Sequence, residues 1–312
     1  MWFIYLICVT WIFVIIRNVF FIDWWNILNC KFWILFLLAF VVLWWLYTHE
    51  YFSFYNQKII QSIDSKDTIK VMYANIYSRN EEYESLKNKI ENENPDIALF
   101  VEFWEIHEEY LLKYINENLK NIDEYERIRL AKGTMALTKL KIENIWVNNE
   151  ELLREYWYFK TTKNRKPYYF YVIHTSSPIS NHYFEIRNKQ LEHISKETKT
   201  NHKNLKDNII LIWDFNTTPW SDYYKSFERW FDWKLVNITR NKQVMTRNLW
   251  EMVKINDKRF WILHGWVRNI ISKLPLYCHI DQIFISKSIK VWNLRKIHID
   301  WSDHYGFVVE IE

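Results

Sequence analysis

A four-layer α/β sandwich, two mixed β-sheets packed together and flanked by helices, is the fold class the sequence predicts for residues 68–312. Two observations predict it. From about residue 60, short apolar runs of strand length alternate with charged segments of helix length. Those runs are too apolar to leave one face in water, so both faces must be covered. A third feature lies upstream: residues 1–48 are nearly all apolar, which predicts N-terminal transmembrane helices ahead of the sandwich.

Residues 1–16 and 32–47 are two apolar runs of 16 residues each, divided by a connector that carries Arg17 and Lys31. Each is a little short of the ~20 residues that span a bilayer, and residues 19–22 and 51–54 can extend them. A cleaved signal peptide is the rival for the first run, but a basic n-region and a small-residue cleavage site are both missing. A buried hairpin is the alternative for both; segments without a polar face have no solvated side to present. Two membrane helices are therefore expected. The connector's Arg17 and Lys31, with Asp23 between them, place it in the cytoplasm and the following domain outside. The expected plan is an anchor at 1–55, a linker at 56–67 and one domain at 68–312, in a multi-pass protein of the cell membrane.

Within the domain, residues 69–76 and 96–102 read as buried strands separated by a polar helix at 81–92. A helix at 105–119 follows, then strands near 126–130, 134–137, 156–160 and 168–174. A long charged helix covers 183–201, and strands at 208–214, 279–286, 290–297 and 305–311 complete the chain. The formal net charge of +4 is spread along the chain, so no basic arm of the kind that grips nucleic acid by charge alone is present. Of three cysteines only Cys278 lies in the domain, which excludes a disulfide framework or thiolate metal site there.

Polar residues collect at the ends of the apolar runs. Asn75 ends VMYAN, Glu102 ends DIALFVE, His174 ends YFYVIH, and Asp214 and Asn216 end IILIWDFN. Asp281 lies in HIDQIFIS, and Asp303 and His304 precede the last strand. Carboxylates at strand ends can meet at one sheet edge, and oxygen ligands suit a hard cation such as Mg²⁺, with Mn²⁺ as the alternative. Taken singly, each residue has a plainer reading: Asn75 as a turn former, Glu102 as a loop acid, His174 as a core histidine, and Asn216 or Thr217 as a helix N-cap. Their joint order argues against those readings. Arg187, His182 and His264 read as residues of a solvated face.

The order N…PDI-x-x-x-x-E…H-T-x-x-P…DFN-x-T-P-W-S…IDQ…SDH resembles the endonuclease/exonuclease/phosphatase superfamily across 68–312, and is most similar to a bacterial branch in which membrane helices precede the domain. KGTMAL at 132–137 and the Arg187…Gln190 helix follow that branch's habit. The resemblance implies a metal held by Glu102 with Asn75 and Asp303. It implies that Asp214 aligns or deprotonates the attacking water and that Asn216 holds a phosphate oxygen. His304, held by Asp281, would contact the phosphate, and His174 would serve the leaving-group side. The implied activity is divalent-metal-dependent hydrolysis of a phosphodiester, in nucleic acid or in a phospholipid head group, with no obligate protein partner. The rival is a catalytically inactive binding or scaffold module on a membrane stalk.

The chain has 3 glycines and 19 tryptophans, together 22, whereas about 7% glycine, roughly 22 residues, is ordinary. Trp213 and Trp301 stand where the resembled pattern has glycine, and Trp233 sits in FDWKLVN at a turn that suits glycine. This pattern is expected if UGA codons that encode glycine in the source are read as tryptophan. UGG codons at 213 and 301 would refute it. An indole at 213 is expected to crowd the substrate phosphate beside Asp214.

Overall fold

The computed structural model describes residues 67–78, 80, 82–103, 113, 125–131, 133–148, 156–202, 207–219, 221–231, 234–239, 247–248, 277–300 and 302–312, with residue 38. The chain divides into two compact units, Met1–Ser53 and Phe54–Glu312, and the second carries the fold. Apart from residue 38, the predicted spans lie outside the described residues, among which no helix is long and apolar enough to cross a membrane.

Two six-stranded sheets form the centre. The first has the order β13-β14-β1-β2-β4-β3, built from β1 (Ile69–Asn75), β2 (Ile97–Phe103), β3 (Glu126–Ala131), β4 (Gly133–Thr138), β13 (Val291–His298) and β14 (Tyr305–Ile311). The second has the order β5-β6-β7-β8-β12-β9, from β5 (Ile142–Asn148), β6 (Tyr156–Lys163), β7 (Lys166–His174), β8 (Asn208–Asp214), β9 (Leu235–Asn237) and β12 (Asp281–Ser286). A short pair, β10 (Arg247–Asn248) with β11 (Tyr277–Cys278), stands apart from both. Each sheet has one parallel pair at its middle, β1 with β2 and β7 with β8, and antiparallel neighbours around it. The sheets are mixed, as predicted.

Alternation along the strands sorts side chains into layers. Ile69, Val71 and Tyr73 face the second sheet and meet Phe170, Val172, Ile210 and Ile212 in the central core. Met72 and Ala74 face outward and pack with Leu86 and Ile90 of α1 (Tyr83–Glu93). On the other side, Ile209, Leu211 and Trp213 pack beneath α2 (Asn181–Asn201) and α3 (Asp222–Trp230) through Leu191, Ile194, Tyr224 and Phe227. The parallel pairs require crossovers, and α1 and α2 supply them.

The predicted strands and the helices at 81–92 and 183–201 are present with ends shifted by a few residues. The predicted helix at 105–119 lies outside the described residues except for residue 113. β5 was missed by periodicity because IENIWVN lacks a continuous apolar run. α3 begins after Ser221, not after Asn216 or Thr217, so the N-cap reading of those two residues is corrected.

Gly306 has a packing reason. A Cβ there would lie 2.5 Å from the Tyr73 backbone oxygen on the paired strand. Backbone cannot yield as a side-chain tip can, so Gly306→Ala is expected to destabilise the domain by about 1–3 kcal/mol, measured by urea unfolding; a variant as stable as the parent would show that β1 and β14 can separate freely there.

Trp213 corrects an expectation. Its indole points away from Asp214, into the helix layer, with ring centroids 4.0 Å from Phe215 and 5.2 Å from Phe227. It therefore leaves the substrate side clear. The side chain is fully buried and its Nε1–H has no hydrogen-bond partner, which costs about 1–3 kcal/mol. Trp213→Phe keeps much of the apolar contact and removes the orphan donor, so thermal unfolding should show no loss of stability; a fall of several degrees would mean that the indole shape dominates. Among the described residues no tryptophan has positive φ, and residues 233 and 301 lie outside them.

Candidate active site

Topology collects the polar strand ends at one edge. Parallel β1 and β2 end there with Asn75 and Glu102; parallel β7 and β8 end there with His174 and Asp214, which are register partners. β12 and β14 run antiparallel to β8 and β1, so their first residues reach the same edge. Asp281 opens β12 opposite Asp214, and Asp303 and His304 lead into β14.

Glu102 reaches the edge by a local irregularity. Strand alternation would put it on the outer face with Ala98 and Phe100, but the register shifts between Val101 and Phe103, and Glu102 adopts φ 60°. Phe103 then takes the outer position, packed with Ala98 and Phe100. Glu102 is the bulged residue, and a left-handed glutamate costs about 1 kcal/mol or more.

Hydrogen bonds knit the cluster. Asn75 Nδ2 donates to Glu102 Oε1 at 3.2 Å and to Asp214 Oδ2 at 3.1 Å. Its Oδ1 accepts from the Tyr77 amide at 3.0 Å, so coordination of a metal by Asn75 would need the second lone pair of that oxygen. Glu102 Oε2 accepts from the Ser78 amide at 3.1 Å. His174 Nε2 lies 3.6 Å from both Glu102 Oε1 and Asp214 Oδ2. Asp214 Oδ1 accepts from the Asn216 amide at 2.9 Å, closing a turn that holds Asn216 at φ 45°. Asn216 Nδ2 donates one N–H to the Thr175 carbonyl at 2.9 Å, leaving its second N–H for another acceptor.

On the opposite wall, His304 Nδ1 and Asp281 Oδ2 are 2.7 Å apart, and Tyr73 donates its hydroxyl to Asp281 Oδ1 at 3.1 Å. Asp303 Oδ1 lies 3.8 Å from His304 Nε2. Ser302 Oγ donates to the Asn75 carbonyl at 2.7 Å and accepts from the His304 amide at 3.0 Å, which pins the two walls together.

The site is crowded with anions. Burial, then the Asp281 carboxylate, pushes the Asp214 carboxyl up to about 7. For His304, burial alone would lower the imidazole, but Asp281 and Asp303 outweigh it and raise it to about 10. Burial, then Asp281 and Asp214, holds the Tyr73 hydroxyl protonated well above the usual tyrosine range. Such an excess of carboxylate is relieved by a cation. Ligand atoms of Glu102, His174 and Asp214 lie within 4.8 Å of one another, as do those of Asp214, Asp281 and His304. The predicted metal trio is drawn together in part: Asn75 touches Glu102, whereas Asp303 meets the cluster through His304.

Several contributors were not singled out from sequence. Tyr73 carried a usable signal, since it lies two residues before Asn75 and so shares its face. Ser302 and Thr175 act through backbone contacts that sequence does not display. Arg187 is corrected: it is 3% exposed, and Nη1 donates to the Asn216 carbonyl at 3.0 Å. Burial lowers its guanidinium to about 10. His182 is exposed, as expected, and His264 lies outside the described residues.

Two packed mixed sheets with carboxylates and imidazoles at the ends of their central strands define a DNase I-like fold. The profile of the endonuclease/exonuclease/phosphatase family matches residues 72–304, and the chain belongs to that family. Its members are hydrolases acting on phosphodiester bonds. Solved structures similar to it include D. rerio TDP2 complexed with single-strand DNA product, at 14% identity and TM-score 0.58, covering 78% of this chain and 99% of that one. The human Nocturnin catalytic domain with bound sulfate has 15% identity and TM-score 0.55, with coverage of 80% and 96%. A family protein from Bacteroides thetaiotaomicron has 14% identity and TM-score 0.53, with coverage of 78% and 94%. No curated protein sequence matches the chain at a significant level.

Proposed function

We propose that the chain is a membrane-anchored, divalent-metal-dependent phosphodiesterase whose apolar N-terminal segment holds the domain outside the cytoplasm. The observation that carries the activity is the meeting of Glu102, His174 and Asp214 with the Asp281–His304 couple at one sheet edge. Glu102, with Asn75 and Asp303, would hold Mg²⁺ or Mn²⁺, which supplies charge neutralisation at the phosphate when bound. Asp214, poised near neutrality, takes a proton from the attacking water as its oxygen bonds to phosphorus. Cationic His304, held by Asp281, and the second N–H of Asn216 bind the phosphate oxygens. The ester P–O bond then breaks, and His174 supplies a hydrogen bond or proton to the departing oxygen. Asn75 bonded to both Glu102 and Asp214, with His304 held by Asp281 nearby, supports this reading over an inactive scaffold.

The test is hydrolysis of bis(p-nitrophenyl) phosphate by the full chain with Mg²⁺, with Mn²⁺ and with chelator. Activity should need the cation and vanish in Glu102→Ala. Turnover that persists in the Glu102→Ala, His304→Ala double variant would overturn the site assignment.

A further inference from the structure

The walls of the cleft continue into an exposed apolar rim. Of six large apolar side chains exposed among the described residues, four lie here: Ile179 at 72%, Tyr183 at 42%, Phe184 at 37% and Tyr223 at 45%. Ile179 comes five residues after His174, and Tyr223 seven after Asn216, so both flanks grow directly from site strands β7 and β8. The flanks touch, with Phe184 and Tyr223 ring centroids 5.3 Å apart at 88°. Arg187 joins rim to site, since its guanidinium lies 4.6 Å from the Phe184 ring centroid while Nη1 holds the Asn216 carbonyl.

We infer that this rim seats on a phospholipid surface and presents lipid phosphodiester head groups to the cleft. The inference rests on the phosphodiesterase reading and names its substrate class. Three observations favour a bilayer as occupant. The most exposed residue, Ile179, is aliphatic and cannot stack on a base, whereas tyrosines beside aliphatic side chains suit the membrane interface. Charge near the rim is balanced: Lys225 pairs with Asp222 at 3.4 Å, Glu185 is exposed, and Arg187 is buried. A strand of nucleic acid would call for surplus cations. The membrane anchor proposed for the apolar residues 1–48 would also keep the chain at a bilayer.

The full chain is reconstituted in vesicles of phosphatidylcholine and phosphatidylglycerol, and separately held in an amphipathic polymer that offers no bilayer surface. Amide exchange over residues 177–184 should slow about tenfold on vesicles, because this exposed start of α2 is held only by local bonds, from the Ile179 amide to Ser177 and from the Tyr183 and Phe184 amides to Ser180. The triple variant Ile179→Ser, Tyr183→Ser, Tyr223→Ser leaves Phe184 under Arg187. It should lose about tenfold or more of phospholipid hydrolysis, given the apolar area removed, while bis(p-nitrophenyl) phosphate turnover stays within about twofold. Equal exchange in the two environments overturns the inference, as does a parallel loss of both activities. Protection of 177–184 by a single-stranded DNA oligonucleotide but not by vesicles would assign the rim to nucleic acid instead. Failure of the native chain to cleave the soluble diester would defeat the phosphodiesterase reading, whereas the exchange result judges the surface by itself.

Discussion

Asp214→Asn is expected to lower kcat/KM for a phosphodiester by about a thousandfold, the scale of losing a positioned general base, without lowering the melting temperature at pH 8. Asp214 is buried beneath Asp281 and Glu102, and its carboxyl is raised to about 7 from a usual 3.8. A raised carboxyl holds a proton in the folded state that the unfolded chain has already lost. Its stabilising contribution is therefore complete below about pH 4 and disappears as pH climbs through about 7. Asparagine does not ionise, so the variant escapes that loss. It does exchange one acceptor for a donor facing Asn75 Nδ2, a bond of 3.1 Å in the parent, which offsets part of the gain. In chelator, the melting temperature of the variant relative to the parent should rise between pH 5 and pH 8. A constant difference, or activity within tenfold of the parent, would show that Asp214 is not the strained base proposed.

The same residue explains why the site needs its surroundings. Asp214 is held on both carboxylate oxygens, by the Asn216 amide and by Asn75 Nδ2, so its orientation is fixed before substrate arrives. Asn216 is held in turn by Thr175 and Arg187. Pre-set geometry of this kind reduces the reorganisation that a reaction must otherwise supply. A metal held by Glu102, as proposed, would add positive charge on that side and pull the Asp214 carboxyl downward. An acid limb in the rate profile that moves to lower pH as Mg²⁺ rises is the expected sign of that coupling.

Sequence reasoning reached the strand-end residues because the strands are buried on both faces and read as unbroken apolar runs. A polar residue closing such a run stands out, and Asn75, His174 and Asp214 were visible for that reason. Parity along the strand is weaker at irregularities. Glu102 would be assigned to the helix face by alternation, and only its bulge and positive φ return it to the cleft. Arg187 is the converse: a cation on a highly charged helix reads as solvated, yet tertiary packing buries it against Asn216. Trp213 misled for a third reason. Adjacency to Asp214 in sequence suggests adjacency in space, but neighbouring strand residues face opposite ways. β9 and β10 are two or three residues long, too short for any periodic signal.

Asp281→Asn isolates the other half of the site. In the parent, the pull of burial on His304 is outweighed by Asp281 and Asp303, leaving the imidazole at about 10 against a usual 6.5. A histidine raised in this way contributes stability that is present below about pH 6.5 and is lost as pH rises through about 10. If the cationic ring binds the phosphate, activity should hold to the alkaline side and fall near that upper value. Removing the Asp281 charge leaves burial opposed by Asp303 and, more weakly, by Asp214, so the alkaline limb should move toward neutrality. At pH 8.5 the variant should then lose about a hundredfold or more in kcat/KM, with a smaller loss at pH 6.5, where the ring still takes up its proton. The fold should survive, because His304 can shed its charge rather than remain a buried unpaired cation. Tyr73→Phe serves as the control: it removes a hydrogen bond to Asp281 but keeps the carboxylate beside Nδ1, so its alkaline limb should stay close to the parent's. An alkaline limb that does not move in Asp281→Asn would mean that His304 does not act as the phosphate-binding cation, whatever the loss in rate.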